Sequence, residues 1–517
     1  MGTAGKMFRS LLVVIIVASA VLLCFASLAD ARAGGGGGYS GGGGGGGFGG
    51  GGGHGGGGFG GGGGFGGGGG GGGGLIVYML VTHPVISAIL VIAVLVYIYT
   101  QQGWGGGPPS GPMNVARERL DNDIANLRAH DPNFDPAAFC NRVSTVFLKL
   151  QTAWCAQDLK AVRPFISDGV HERFSLQFAE QKAEGYHDHM ERVGINNITI
   201  VGLESDNIYD SLSVMIYASA VDYPVSLADG RQLSGSTTDA PFTEVWTFLR
   251  RRGAATFVGK PGLLEGNCPN CAAPIAINES TNCSNCGALL RSGEYDWVLT
   301  EITQQSEWRR TLHNPIHGLA TLQQRDPDFN VHGLNDRASV IFWRKTSADR
   351  LGKIDPMRKV TSPDYVQTYT ARLHDAPGTP RTYFGDCAVG AVNTLKLIPA
   401  APDEPMDKVP FDQALVEIRW SGFKMLAAPG SPPRKISDND PHHTLFVLIR
   451  KADARTDVAK GISSAHCPNC GAPESGGTDG ACEFCGTTLN DGSNNWILDD
   501  ILGFADPKAQ HLLSQPV

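Results

Sequence analysis

Asp131-Pro132-Asn133-Phe134-Asp135 returns far downstream as Asp326-Pro327-Asp328-Phe329-Asn330, and the repetition extends outward from there. Arg142 and Phe147 match Arg337 and Phe342. Trp246-Thr247-Phe248-Leu249-Arg250 aligns with Phe446-Val447-Leu448-Ile449-Arg450, and Trp297-Val298-Leu299-Thr300-Glu301-Ile302 with Trp496-Ile497-Leu498-Asp499-Asp500-Ile501. Upstream, Leu120-Asp121-Asn122-Asp123-Ile124 pairs with Leu312-His313-Asn314-Pro315-Ile316. Offsets between 192 and 200 mark two copies of one domain, over 115–305 and 306–506.

Each copy runs helices first and strands afterwards. A first helix over 115–127 places Leu120, Ile124 and Leu127 on one side. In the next, Phe139, Val143, Val146, Phe147, Leu150 and Trp154 recur at helical spacing, and a further helical stretch is expected over 170–193. Strand patterns then cover 198–203, 212–225, 242–249 and 297–302. Helices segregated before an antiparallel meander predict an α+β fold with one face of a curved sheet covered by helices.

The first copy carries Phe139 through Gln151-Thr152-Ala153-Trp154, Asp158-Leu159, Arg163-Pro164 and Glu244-Val245-Trp246, and it closes on Trp297-Val298-Leu299. In these residues it resembles the C-terminal domain of the mitochondrial inner-membrane translocase subunit 44 and its bacterial relatives. The resemblance implies a cone of helices on a curved antiparallel sheet, similar to nuclear transport factor two. It also implies a large apolar pocket and a role as a membrane-associated scaffold for protein translocation. Helical and strand alternation place Phe178 and Met215 in the lining of that pocket. The second copy departs from the pattern, with Asp349 where Trp154 stands and Lys353-Ile354 for Asp158-Leu159, so the functional pocket is expected in the first copy.

The cysteines carry the clearest site chemistry. Cys268, Cys271, Cys283 and Cys286 form two Cys-x2-Cys pairs, and Cys467, Cys470, Cys482 and Cys485 repeat the same separations. Four thiolates on two tight knuckles suit one tetrahedral zinc, so two structural Zn2+ ions are expected, a redox pair of dithiols being the competing reading. Ala272 stands where a knuckle ordinarily has glycine. Each ribbon, 268–286 and 467–485, is inserted between a strand ending at Arg250 or Arg450 and the next strand, so a metal there closes a long loop. His187 and His189 with Asp188, and His442 with His443, are weaker ligand candidates that read as exposed loop residues. Cys140, Cys155 and Cys387 read as buried apolar residues. No catalytic residue and no organic cofactor is expected.

Ahead of the copies, Lys6 and Arg9 precede an apolar run over 11–28 ending in Ala29-Asp30-Ala31-Arg32-Ala33, which reads as a signal peptide or first membrane helix over 1–33. Residues 34–74 contain 35 of the chain's 70 glycines and cannot build a core. Residues 75–99 carry no formal charge and span roughly 37 Å as a helix, enough to cross a bilayer. Lys6 and Arg9 before the first run, and Arg117, Arg119 and Arg128 after the second, place the glycine tract outside and the large body in the cytoplasm, whether the chain is single-pass or two-pass. After Pro112 the chain has 39 basic and 49 acidic residues, a net charge of -10, which argues against nucleic acid as a partner. A membrane-tethered scaffold binding a protein segment or lipid leads, an enzyme using acid-base chemistry in the cone is the alternative, and a zinc-ribbon nucleic-acid binder comes third.

Overall fold

The Asp-Pro-x-Phe motif shows at once why it is repeated. In the computed structural model Asp135 closes the motif as N-cap of a helix, its carboxylate accepting from the Ala138 N–H at 2.7 Å, and Asn330 does the same for Gly333 at 2.7 Å. Phe134 and Phe329 turn under Trp297 and Trp496, with ring centroids 6.1 and 5.9 Å apart. The buried Asp131 meets Arg250 at 2.8 Å and the Thr256 hydroxyl at 2.5 Å, and Asp326 repeats both contacts with Arg450 and Thr456 at 2.8 and 2.7 Å. Each arginine lies over the following tryptophan, Arg250 4.5 Å from the Trp297 ring and Arg450 4.9 Å from that of Trp496. The motif thus ties the start of the helical layer to the last two strands of its sheet.

The described residues are 112–516 apart from 236, 258, 260–261, 276–281, 306–307, 309–315, 374–378, 401–409, 430, 432, 458–463 and 475–478. The expected signal segment, glycine tract and membrane span lie outside them, as does most of the upstream return at 312–316. No helix among the described residues is long and apolar enough to cross a membrane.

Helices α1 (Pro112–His130), α2 (Pro136–Ala156) and α3 (Asp168–Glu184) precede strands β1 (Tyr186–Ser205), β2 (Tyr209–Ser226), β3 (Ala240–Arg251) and β4 (Val298–Gln304). The same order then comes again. Helices α4 (Leu319–Arg325), α5 (Val331–Leu351) and α6 (Pro363–Leu373) precede β5 (Arg381–Ile398), β6 (Phe411–Ala427), β8 (Asp440–Lys451) and β9 (Ile497–Gly503), with a short β7 (Arg434–Lys435) on β6 and a closing α7 (Pro507–Ser514). Both sheets are antiparallel meanders, β1-β2-β3-β4 and β5-β6-β8-β9. Their bulges recur in the same places, at Glu191/Gly194, Ile195/Asn197 and Ile200/Gly202 in one and Gly385/Ala388, Val389/Ala391 and Thr394/Lys396 in the other. Arg192 and Asp386 take a left-handed φ of 50° at the first of these, which bends the long strands around their helices.

One expected element ends early. The helix expected over 170–193 stops at Glu184, because Gly185 adopts φ 81° and its N–H closes on the Gln181 and Lys182 carbonyls; the chain is already strand at Tyr186.

Rings from the helices and from the strands meet between the two layers. Phe139, Phe147, Trp154 and Phe174 from the helices meet Leu212, Val214, Ile216, Trp246 and Phe248 from the strands in one buried cluster, and Phe178 packs against it as expected. Met215 does not. It lies on the opposite face of β2 from Val214 and Ile216 and is only partly buried, so the expected pocket lining fails there. In the second half the aromatic contact of Trp154 with Phe174, 5.4 Å, becomes a hydrogen bond from the Tyr369 hydroxyl to Asp349. There the outer sheet face is covered as well, with Leu415, Leu445 and Val447 against Ala509 and Leu512 of α7. The buried Lys396 ammonium donates to the α7 carbonyls of Leu512 and Leu513 at 2.9 and 3.1 Å.

Candidate metal centres

Each ribbon is built of two tight hairpins. In the first, Cys268 N–H donates to the Ala273 carbonyl at 2.8 Å and Ala272 N–H returns to Cys268 at 2.7 Å; Cys283 repeats this with Ala288 and Gly287, and the second ribbon does so at Cys467 and Cys482. The return residue must be left-handed, and Gly287, Gly471 and Gly486 are, at φ 74°, 71° and 73°. Ala272 takes φ 60° in the same place, a strain of about 1 kcal/mol that the knuckle imposes.

These hairpins bring all eight expected ligands together as two groups of four. Within each, the sulfur atoms lie within 4.8 Å of one another. Cys268 and Cys286 are 3.7 Å apart and Cys271 and Cys283 3.8 Å, while Cys467–Cys485 and Cys470–Cys482 are both 3.7 Å. A tetrahedron with metal–sulfur bonds of about 2.3 Å has edges of about 3.8 Å, whereas a disulfide needs about 2.05 Å. The residues therefore fit a four-thiolate metal ion. The Asn285 side chain and Ala273 N–H draw the Cys271 thiol down to about 6, and the Thr487 hydroxyl and N–H do the same for Cys485, also to about 6. Burial pushes Cys268 and Cys467 up to about 12.

The ribbons are less free than their sequences suggest. Cys268, Cys283 and Leu290 belong to the first core, and the second ribbon buries Glu474 completely. Glu474 Oε2 receives Arg337 at 2.8 Å and Arg344 at 3.2 Å, both from α5. In the first half the equivalent Arg142 takes its carboxylate from Asp296, at 2.9 Å. The acid thus sits in different places in the two halves, since Ile275 stands where Glu474 does and Asn495 where Asp296 does.

Residues 120–259 match the Tim44-like domain. The match runs from within α1 through β3 and stops before the first ribbon and β4, so it covers the helical layer and most of the sheet of the first half. No curated protein matches the chain. The expected resemblance is thereby shown for the first half, and the mixed helix and antiparallel sheet architecture agrees with a Tim44-like domain.

The weaker candidates are not brought into one site. His187 and His189 sit on β1, not in a loop; His189 pairs with Glu191 at 3.1 Å, while Asp188 turns inward to Gln181 at 2.5 Å. His442 stacks on Trp420, 4.4 Å between centroids, and His443 lies 3.9 Å from Glu417, both on β8. Cys387 is buried, and that burial raises its thiol well above its ordinary value; Cys140 and Cys155, expected to be buried, are only half-buried, and burial raises their thiols too.

A polar seam joins the first half to the second, and little in the sequence points to it. Asp168, the first residue of α3, is fully buried and receives Arg163 at 2.5 Å, the Ala465 N–H at 2.7 Å and His466 Nδ1 at 2.7 Å. Burial alone raises its carboxyl, but His466 and the Arg163 cation outweigh it and hold it well below its usual range. Gly169 donates its N–H to Asp336 of α5 at 3.1 Å, and a Cβ there would stand 2.6 Å from that oxygen, so only glycine allows the approach. The one signal of this seam in the sequence is the swapped carboxylate described above.

Farther along α3, Glu180 is buried beside Glu184, Asp386 and Arg350, and its carboxylate is also met by the Asp386 N–H. Burial first, then the Asp386 charge, push Glu180 up to about 8 and Glu184 up to about 7. A carboxyl raised in the folded state keeps its proton while the unfolded chain has lost its own, so stability falls as pH rises from about 4.5 towards 8. Denaturant unfolding with zinc present throughout should show lower stability at pH 8 than at pH 6, and Glu180→Gln should recover about 1–2 kcal/mol of that difference. A substitution that leaves the pH profile unchanged would show that Glu180 is not the group responsible.

Proposed function

We propose that the chain is a membrane-anchored scaffold or adaptor. In this reading it is a tandem pair of Tim44-like units, 115–305 and 306–506, each clipped by one structural zinc, and it binds a protein segment or a lipid through the first unit. The Tim44-like match over 120–259 carries the reading, because the domain in that family serves as a membrane-associated scaffold for translocation. The tandem arrangement is supported by the repeated element order, bulge positions and Asp–Arg–Thr–Trp clusters. Zinc is favoured by four sulfur ligands at tetrahedral spacing. Four protein ligands leave no open position for a catalytic water, which supports a binder in preference to an enzyme. The charge asymmetry about the expected spans supports a cytoplasmic body.

Exposed apolar side chains of the first unit also offer a partner a surface. Leu227 and Leu233, at the turn between β2 and β3, are 46% and 48% exposed. Full-length chain in native membranes, carrying a photo-crosslinking residue at either position, should give a discrete protein or phospholipid adduct, and the same residue at Ile436 of the second unit should give less. Equal adducts from both units would place binding on a joint surface. Turnover of a small molecule that depends on the first unit would put the enzyme reading first.

A further inference from the structure

We infer that the second ribbon is a metal-dependent clasp: the ion held by Cys467, Cys470, Cys482 and Cys485 keeps the two halves of the body joined. This rests on the reading of that ribbon as a metal site.

The residues just before Cys467 reach into the first half. Ala465 N–H and His466 both donate to Asp168 of α3 at 2.7 Å, and the Ser464 hydroxyl donates to Asp336 beside the Gly169 crossing. His466 Nε2 in turn receives Arg291 at 3.2 Å, the assignment following from its neighbours. On the other side of the first knuckle, Glu474 fixes Arg344, whose Nε and Nη2 bridge to Glu172 of α3 at 3.2 and 2.9 Å. One short loop therefore supplies both ends of the seam.

Among the described residues the first ribbon does not repeat these contacts. At the equivalent places Glu265 accepts from the nearby Gly262 N–H at 2.6 Å, Asn267 donates to the Ala272 carbonyl at 3.0 Å, and Ile275 packs on its own core. Its contribution to the seam is Arg291, beyond its last cysteine.

Two physical consequences follow. Buried Asp168, Arg337 and Arg344 are tolerated only while their partners are in place, since a buried charge stripped of its partner is costly. The partners sit on a loop whose conformation is closed by the metal, so releasing the ion restores the loop's freedom and withdraws those partners together. Metal binding at the second ribbon and docking of the halves are then linked, and linkage is reciprocal: whatever weakens the seam weakens that metal site by the same factor.

The reciprocity supplies the test. Full-length chain loaded with zinc is titrated with a chromophoric chelator, and amide exchange is followed over α3 and over β2 and β8. Emptying the second ribbon alone, by Cys470→Ser with Cys485→Ser, should speed exchange at α3 at least tenfold while β2 stays protected. Asp168→Asn lies in the first half and touches no sulfur, yet it should lower zinc affinity at the second ribbon about tenfold and leave the first unchanged. Glu172→Gln, a milder and more exposed change, should act in the same direction by about threefold. Zinc affinity at the second ribbon unchanged in both variants, or α3 exchange unchanged when that ribbon is empty, overturns the clasp alone. A chain that takes up no zinc overturns the metal reading with it.

Discussion

Full-length chain purified without chelator is expected to carry two equivalents of zinc, and Cys268→Ser with Cys286→Ser to carry one. The loss should reach well beyond the ribbon, because Cys268 and Cys283 are buried in the cluster that holds Leu290, Trp297 and Phe139. Structural zinc sites of this kind contribute about 10–16 kcal/mol of apparent binding free energy, as large as the whole stability of an ordinary domain. The double variant should therefore lose about 5 kcal/mol or more from the first unfolding transition, read by calorimetry beside metal analysis. The matched pair, Cys467→Ser with Cys485→Ser, removes the other equivalent. Disulfides formed without added oxidant, with no bound metal, would support the dithiol reading instead.

Arg250→Ala should destabilise the first half by about 3–5 kcal/mol, because it leaves the buried Asp131 carboxylate without its cation. Burial pushes the Asp131 carboxyl up, and the Thr256 hydroxyl and N–H with Arg250 pull it below its ordinary value. Arg450→Ala should cost a similar amount through Asp326 and Thr456 in the second half. Replacing Arg250 and Asp131 together by apolar residues of similar volume should return much of the loss, since an ion pair removed whole leaves no bare charge. A single-variant loss under about 1 kcal/mol, measured by denaturant unfolding, would mean that the pair is not the tie between helical layer and sheet.

The differences between matching positions of the two halves are informative beyond stability. Asp349 in place of Trp154 and Tyr369 in place of Phe174 turn an aromatic contact into a hydrogen bond. Ile275 and Asn495, opposite Glu474 and Asp296, move the carboxylate that answers Arg142 or Arg337 from the base of the sheet to the ribbon. The two halves thus carry different polar solutions, and the second of them lies on the seam.

What the amino-acid order determined by itself was whatever depends on neighbours along the chain. The Asp-Pro-x-Phe caps, the helical stripe from Phe139 to Trp154, the meander and the two knuckles all rest on spacings of a few residues, and repetition made them legible twice. Alternation over Leu212, Val214, Ile216 and Ala218 also carried the correct face of β2, although apolar Met215 and Tyr217 at the intervening positions masked it. Tertiary structure alone decided the rest. That Asp168 meets His466 follows from how the halves pack, and that Glu474 turns inward to α5 follows from how the second ribbon folds back on its own half. Such partners lie far apart in the chain, and a buried charge is placed by whichever opposite charge the packing brings within reach, a choice that no local pattern encodes.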